Sequence, residues 1–321
     1  VRKTANADEF DIIKRIKQTL DNYSLPKAEL SIGDDCACYM RQISCLDILQ
    51  EDIHFSLQYY SFYDIGYKAL AANLSDIAAM GGKPLYALVG LSLPEYVSIK
   101  DVQEIFDGMA YLAAEQKCAI VGGDISKSPK LALAVTVIGK TYGKNMLLRS
   151  GAKEGDILVV SGTLGLSHLG LKTLSQNLST DVSLQKKLMQ AHLRPQPRLA
   201  LGQMLLQNGI KCAIDCSDGF LADVGHILDE SKLGVILDTE ALPLDSQALD
   251  FFGRKSTLNA ALSGGEDYEL IFSASPKHFN RIKALANIPV TLVGTFTKEN
   301  VGQIQDLNGR IFERKGYKHF G

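Results

Sequence analysis

The chain lacks a surplus of either charge: 34 basic residues face 36 acidic ones, leaving a net charge of −2. With no basic field to hold a polyanion, nucleic acid is not an expected partner. No apolar run is long enough to span a bilayer; the longest are strand-sized and interrupted, so no membrane association is expected. The opening residues, Val1 to Phe10, carry charges and lack the apolar core of a secretory signal, so the expected compartment is the cytoplasm. Cysteines stand only at 36, 38, 45, 118, 212 and 216. Cys36, Cys38 and Cys45 invite a reading as thiolate ligands, but they lack finger or ribbon spacing and no histidine sits at a matching interval. Small buried thiols in a reducing compartment are the expectation. The familiar nucleotide and hydrolase signatures are missing as well. There is no GxxxxGK[ST] loop, no protein-kinase set and no G-x-S-x-G elbow. Phosphates, if bound, must be held mainly by metal ions and backbone N–H groups.

What is present is enough chain for two domains: 321 residues, 46% apolar and 22% charged, as in globular proteins with real cores. Residues 64–80 read as a helix opening on Asp64 and stopping at Gly81-Gly82. Residues 101–116 put Val102, Ile105, Phe106, Met109, Leu112 and Ala113 on one face, with Asp101 and Glu104 suggesting a capping box. Strands are expected at 86–93, 118–121, 131–138, 157–160, 235–237, 270–272 and 290–293. Further helices are expected from Pro197 to Gly209 and from about Asp218. Helices and strands alternate throughout, which predicts an α/β (α+β) fold in two domains, 1–148 and 149–321.

The chemistry is concentrated in acidic segments read as loops at strand ends. These are Gly33-Asp34-Asp35, Asp47 after the apolar segment that begins at Ile43, Gly122-Gly123-Asp124, Asp215-Cys216-Ser217-Asp218-Gly219 and Ser263-Gly264-Gly265-Glu266-Asp267-Tyr268. Asp76 joins them from the helix that ends in the glycine pair. Carboxylates beside glycines suit hard, oxygen-preferring cations, of which Mg2+ is the usual partner of phosphate. Two carboxylates ~4 Å apart repel by about 4 kcal/mol at an effective dielectric of 20, so several share a site only when cations offset them. Each acid taken singly also fits a helix cap or a solvated turn, Asp218 most of all. Gly162-Thr163-Leu164-Gly165 is a glycine turn that could touch phosphate.

In this order, the segments resemble those of the thiamine-monophosphate kinase family. That family belongs to a superfamily with aminoimidazole-ribonucleotide synthetase, selenophosphate synthetase and a hydrogenase-maturation protein. The resemblance runs from about Asp11 to Phe320. It is carried by Ile32-Gly-Asp-Asp35, Asn73-Leu-Ser-Asp76, Gly122-Gly-Asp124, Arg149-Ser-Gly-Ala-Lys153 and His192-Leu-Arg-Pro195. It continues in Ile214-Asp-Cys-Ser-Asp-Gly219, Leu262-Ser-Gly-Gly-Glu-Asp-Tyr-Glu269 and Lys315-Gly-Tyr-Lys-His-Phe320. The resemblance implies direct, Mg2+-assisted transfer of the ATP γ-phosphoryl group to thiamine monophosphate, and a homodimer in which two N-terminal sheets pair into a barrel. It implies that Asp35, Asp47, Asp76, Asp124, Asp215 and Asp218 hold several Mg2+ ions, with Asp47, Asp76 and Asp124 at the catalytic centre. ATP contacts fall on Gly123, Asp124, Arg149 and Ser217. Substrate contacts fall on His54, Glu266 and one C-terminal residue, Tyr317 or Arg314, with Tyr317 preferred.

One segment departs from the family pattern. Ser44-Cys45-Leu46-Asp47 stands where hydroxyl residues usually precede the aspartate. Either Cys45 and Leu46 coordinate through their backbones or not at all, or the local alignment slips by one residue onto Ser44. Two alternatives stay open: a sibling enzyme of the superfamily, or a nucleotide- or thiamine-binding regulator that has lost catalysis. The first lacks a Cys-Lys pair before Asp35 and a C-terminal cysteine. The second rests only on Cys45-Leu46.

Overall fold

The computed structural model describes residues 9–23, 26, 28–143 and 145–317. Helix α1 (Glu9–Asp21) precedes strands β1 (Ala37–Tyr39) and β2 (Gln42–Gln50). Helix α2 (Phe62–Ala79), β3 (Lys83–Leu93), α3 (Ile99–Gln116), β4 (Ala119–Lys127) and β5 (Ala132–Lys140) complete the first half. The second half begins β6 (Ile157–Ser161), α4 (Leu166–Ser175), α5 (Val182–Leu193), α6 (Leu199–Gln207), β7 (Ala213–Asp215) and α7 (Phe220–Ser231). It continues β8 (Gly234–Leu237), α8 (Ser246–Phe252), α9 (Arg254–Ser263), β9 (Leu270–Ala274), α10 (Pro276–Leu285), β10 (Val290–Thr297), β11 (Ile304–Asp306) and β12 (Ile311–Phe312).

Each half builds one mixed sheet, so the fold is a two-domain α/β arrangement. The first sheet has the order β1-β2-β5-β3-β4, antiparallel except for the β3–β4 pair. The second runs β12-β11-β8-β10-β6-β9-β7, antiparallel except for β8–β11. Helices α2 and α3 pack together, α2 lying on β2 and β5. Helix α2 is buried along nearly its whole length and also touches α6 and β7 of the second half. One hydrophobic core therefore runs from the first sheet across the junction to Leu199, Leu205 and Phe272, while a second fills the far side of the second domain.

Several expected boundaries move for identifiable reasons. Helix α2 begins two residues before Asp64, because Ser61 is the N-cap and its Oγ accepts the Asp64 N–H. The capping box of α3 is likewise Ser98 with Asp101, not Asp101 with Glu104. Two segments expected as loops are strand interiors. Asp47 lies in the middle of β2, paired with Val135, and Gly122-Gly123-Asp124 lies inside β4, paired with Leu88 to Gly90. Asp and Gly are poor strand formers, so their place here comes from the ladder around them and not from propensity.

The α2–α3 crossing is set by two glycines. A Cβ on Gly66 would sit 1.8 Å from the Ile105 carbonyl oxygen, and one on Gly108 would sit 1.9 Å from that of Tyr63. Neither backbone can retreat without separating the helices. Gly66→Ala is expected to cost about 1–3 kcal/mol of stability through overpacking. Urea unfolding monitored by circular dichroism measures it, and an unchanged midpoint would show that the close approach is dispensable.

Candidate active site

A cleft of about 1290 Å³ opens at the junction, along the stretch of β2 beyond its pairing with β1. That volume exceeds a typical single-ligand pocket and is enough for two substrates side by side. Asp35, Asp47, Asp76, Asp215, Asp218 and Glu266 all line it. Asp47 points to the inner face of the first sheet, and its N–H donates to Asn73 Oδ1 at 3.1 Å. Asp76 follows on α2 three residues later, about one helical turn. From the second domain, Asp215 ends β7. Its Oδ2 accepts from Ser75 Oγ at 2.6 Å and its Oδ1 from Ser217 Oγ at 3.3 Å. Arg149 enters between the domains: Nε and Nη2 both donate to Asp35 Oδ1, at 3.1 and 2.6 Å, and its backbone N–H donates to Asp34 Oδ2 at 3.2 Å.

Carboxylate oxygens of Asp35, Asp76 and Asp215 lie within 4.8 Å of one another. Such crowding in a buried place penalises ionisation. Burial and the neighbouring Asp35 charge push the Asp34 carboxyl up to about 7. Burial, with Asp35 again adding, pushes Asp215 up to about 7. Asp76 is driven well above the usual carboxylate range by burial and then by Asp47. Asp35 is raised by burial, although Arg149 opposes the shift. Asp35 Oδ2 is buried and is the one such side-chain polar atom, among the described residues, without a hydrogen-bond partner. An orphaned carboxylate oxygen facing two more carboxylates is a donor set that fits a hard divalent cation.

A second group gathers one step away. Asp218, Asp223 and His226 also bring ligand atoms within 4.8 Å. Only Asp218 was expected. Asp223 and His226 follow on α7, and their three-residue spacing, which places both on one helix face, was the available signal. Burial raises the Asp223 carboxyl well above its usual range, and burial with Arg149 lowers the His226 imidazole to about 4.

The loop carrying Glu266 is pinned against the Asp215–Gly219 segment. Glu266 N–H donates to Ser217 O at 2.7 Å and Tyr268 N–H to Cys216 O at 2.8 Å. The approach is close enough that a Cβ on Gly265 would lie 2.6 Å from Ser217 O, and Glu266 itself takes a positive φ of 67°. A non-glycine residue held there is local strain that the surroundings must maintain. Asp267 donates no charge to the cleft; it accepts from the N–H groups of Gly165 and Ser167 and so occupies the start of α4. The Gly162–Gly165 turn is therefore filled by a carboxylate and not open to phosphate.

His54, Glu266 and Tyr317 line the cleft together. His54 Nδ1 accepts from the Gln50 N–H at 3.0 Å. Of the two C-terminal candidates, Tyr317 faces the cleft, whereas Arg314 is committed to Asp229 through paired contacts of 2.6 and 3.0 Å. The remaining tail residues, 318–321, lie outside the described residues. Cys45 is buried, with Sγ 3.3 Å from Asn73 O. Leu46 alternates to the outer sheet face, 57% exposed, so only its carbonyl could reach a cation in the cleft. Gly123 and Asp124 do not line the cleft. The ladder runs Asp47–Val135–Val89–Gly123, three strand spacings or roughly 14 Å.

Comparison with known proteins agrees with the fold. Residues 33–141 match the AIR synthase related protein N-terminal domain, and residues 153–306 match its C-terminal domain. A thiamine-monophosphate kinase of Bacillus subtilis is 36% identical over 98% of this chain and 99% of its own. A solved structure described as AaThiL complexed with AMPPCP and TMP superposes with a TM-score of 0.87 at 32% identity, covering 100% of this chain and 99% of that one. The hydrogenase-maturation protein HypE, at 19% identity and a TM-score of 0.71 over 94% of this chain and 96% of its own, shares the fold alone. Near-full-length identity at this level shows that the chain belongs to the thiamine-monophosphate kinase family.

Proposed function

We propose that this protein transfers the γ-phosphoryl group of ATP to thiamine monophosphate, giving thiamine diphosphate and ADP. The observation that carries the reading is the convergence of Asp35, Asp76 and Asp215 on one point of a two-substrate cleft, with Asp35 Oδ2 left unpartnered there. Both reactants bring phosphate anions that repel each other, and an acid cluster binds them only through cations. We assign Asp35, Asp47, Asp76 and Asp215 as the residues that hold Mg2+, with Asp218 holding a further ion. Bound there, Mg2+ supplies charge neutralisation and polarisation of the transferring phosphoryl group.

The chain's own groups do the rest. Arg149 holds Asp35 Oδ1 through Nε and Nη2 and keeps a permanent positive charge at the cluster, which suits its remaining N–H groups to ATP phosphate. Ser217 orients Asp215 by its hydroxyl. His54, Glu266 and Tyr317 form the thiamine end. Transfer is direct, because the cysteines nearest the cluster are no nucleophiles: burial raises the Cys36 thiol to about 11, and the hydrogen bond with Cys36, followed by burial, holds Cys45 well above its usual value. The six free, buried cysteines support a reducing compartment, hence the cytoplasm. We divide the domains at residue 148, between the last strand of one sheet and the first of the other.

We infer further that two copies pair through the first sheet. Its outer face exposes Leu46, Ile48, Tyr86 and Leu88, and edge strand β4 is uncovered on both faces, exposing Val121 and Ile125. An apolar sheet face with an open edge is an association surface. Closing it against a second copy into a barrel would carry Gly123 and Asp124 to the partner's cleft, which the ladder prevents within one chain.

The assay of purified chain with ATP, Mg2+ and thiamine monophosphate is expected to yield thiamine diphosphate, and Asp76→Asn to lower turnover about a hundredfold or more. Absence of product from the unaltered chain would overturn the reading. Asp124→Asn is expected to be equally impaired despite its distance. Mixing inactive Asp76→Asn and Asp124→Asn chains should regenerate one intact site per mixed dimer, about a quarter of normal activity. No recovery after verified subunit exchange would refute the shared site.

A further inference from the structure

One buried polar chain takes no part in holding cations. Lys68 lies on α2, two turns before Asp76, and its side chain is fully buried. Its Nζ donates to Tyr60 Oη at 2.7 Å and meets Glu266 Oε1 at 2.8 Å. Tyr60 Oη lies 2.9 Å from His192 Nε2. On its other side His192 places Nδ1 3.1 Å from Ser167 Oγ and 3.6 Å from Glu266 Oε2.

Directions follow from the donor inventory. Lys68 only donates, so Tyr60 Oη accepts from it and spends its single proton elsewhere. The shorter partner is His192 Nε2, at 2.9 Å against 3.4 Å for the His192 carbonyl. That nitrogen accepts, so the proton of the neutral ring sits on Nδ1, which donates to Ser167. Burial and the Lys68 charge hold the imidazole down at about 2, so it adds no second cation. Among the described residues Lys68 is thus the one positive charge in contact with Glu266, and it takes one oxygen, Oε1. Glu266 remains 27% exposed and lines the cleft with the rest of its carboxylate.

We propose that Lys68 is a positioning residue that locks Glu266 so that Oε2 accepts a hydrogen bond from the exocyclic amino group of the substrate's pyrimidine ring. This rests on the reading that Glu266 faces thiamine monophosphate. Glu266 needs such a lock, because its backbone is held at positive φ on a loop. A carboxylate already half-committed to a buried ammonium discriminates a neutral N–H donor from an acceptor at the same place. A buried acceptor left facing another acceptor is costly, which makes the discrimination large.

The test compares thiamine monophosphate with its oxo analogue, oxythiamine monophosphate, in which the amino group is replaced by an acceptor. Lys68→Met should raise KM for thiamine monophosphate about tenfold or more while moving KM for ATP less than about twofold. Preference over the oxo analogue should shrink about tenfold in Lys68→Met and in Glu266→Gln. The double variant, a neutral pair without a stranded charge, should be no less selective than Glu266→Gln alone. It keeps the question answerable should Lys68→Met fail to fold. Unchanged discrimination in Lys68→Met, equal losses toward both substrates, or a double variant whose losses multiply would overturn the proposal. Failure of the unaltered chain to phosphorylate thiamine monophosphate would instead overturn the function on which it rests.

Discussion

The structure turns on carboxyl groups that cannot all be charged where they stand. Asp35, Asp76 and Asp215 come from a loop before the first sheet, from α2 and from a strand of the second sheet, and they meet within 4.8 Å. Nothing in the hydrophobic core requires this. The neighbouring cation, Arg149, is committed to a single oxygen of Asp35. A site that concentrates negative charge and leaves one oxygen without a donor is stabilised by incoming cations, and through them it can hold the phosphates of two anionic ligands.

Helix α2 makes the meeting possible. It is buried against the first sheet, α3, α6 and β7, so residues on different sides of it reach different parts of the cleft. Asn73 receives the Asp47 N–H, Ser75 donates to Asp215, Asp76 enters the cluster, and Lys68 holds Glu266 two turns away. The carboxylate cluster and the Glu266 end of the cleft are therefore registered by one rigid element. The glycines at its crossing with α3 serve the same purpose, since a displaced α2 would move both ends together.

Much of the site was legible in the sequence because its acids sit beside glycines at strand ends, as in Gly33-Asp34-Asp35 and Asp215 to Gly219. The helical stripe of α7 was legible too: Phe220, Leu221, Val224, Ile227 and Leu228 are all buried. The strand positions of Asp47 and Asp124 were not, because both read as loop residues and only ladder pairing overrides that preference. Lys68 was invisible for a different reason. On a helix buried along nearly its whole length a lysine reads as a solvent-facing residue, and its partners Tyr60, His192 and Glu266 are distant in sequence. Asp124 shows a third limit: its distance from Asp47 is set by the ladder Asp47–Val135–Val89–Gly123, a pairing order that the sequence does not display.

The central claim, that the crowded carboxyl groups are built for cations, is tested most directly by thermal stability against pH with and without Mg2+. Asp34 and Asp215 rise from 3.8 to about 7 in the folded chain, so folding takes up protons between those values. The stability they contribute is complete below about pH 4 and is lost as pH rises through about 7. Metal-free protein should therefore lose stability across that window. Mg2+, which binds the ionised form, should restore it increasingly toward pH 8. A metal-free profile without that fall, or equal stability with and without Mg2+ at pH 8, would contradict the account.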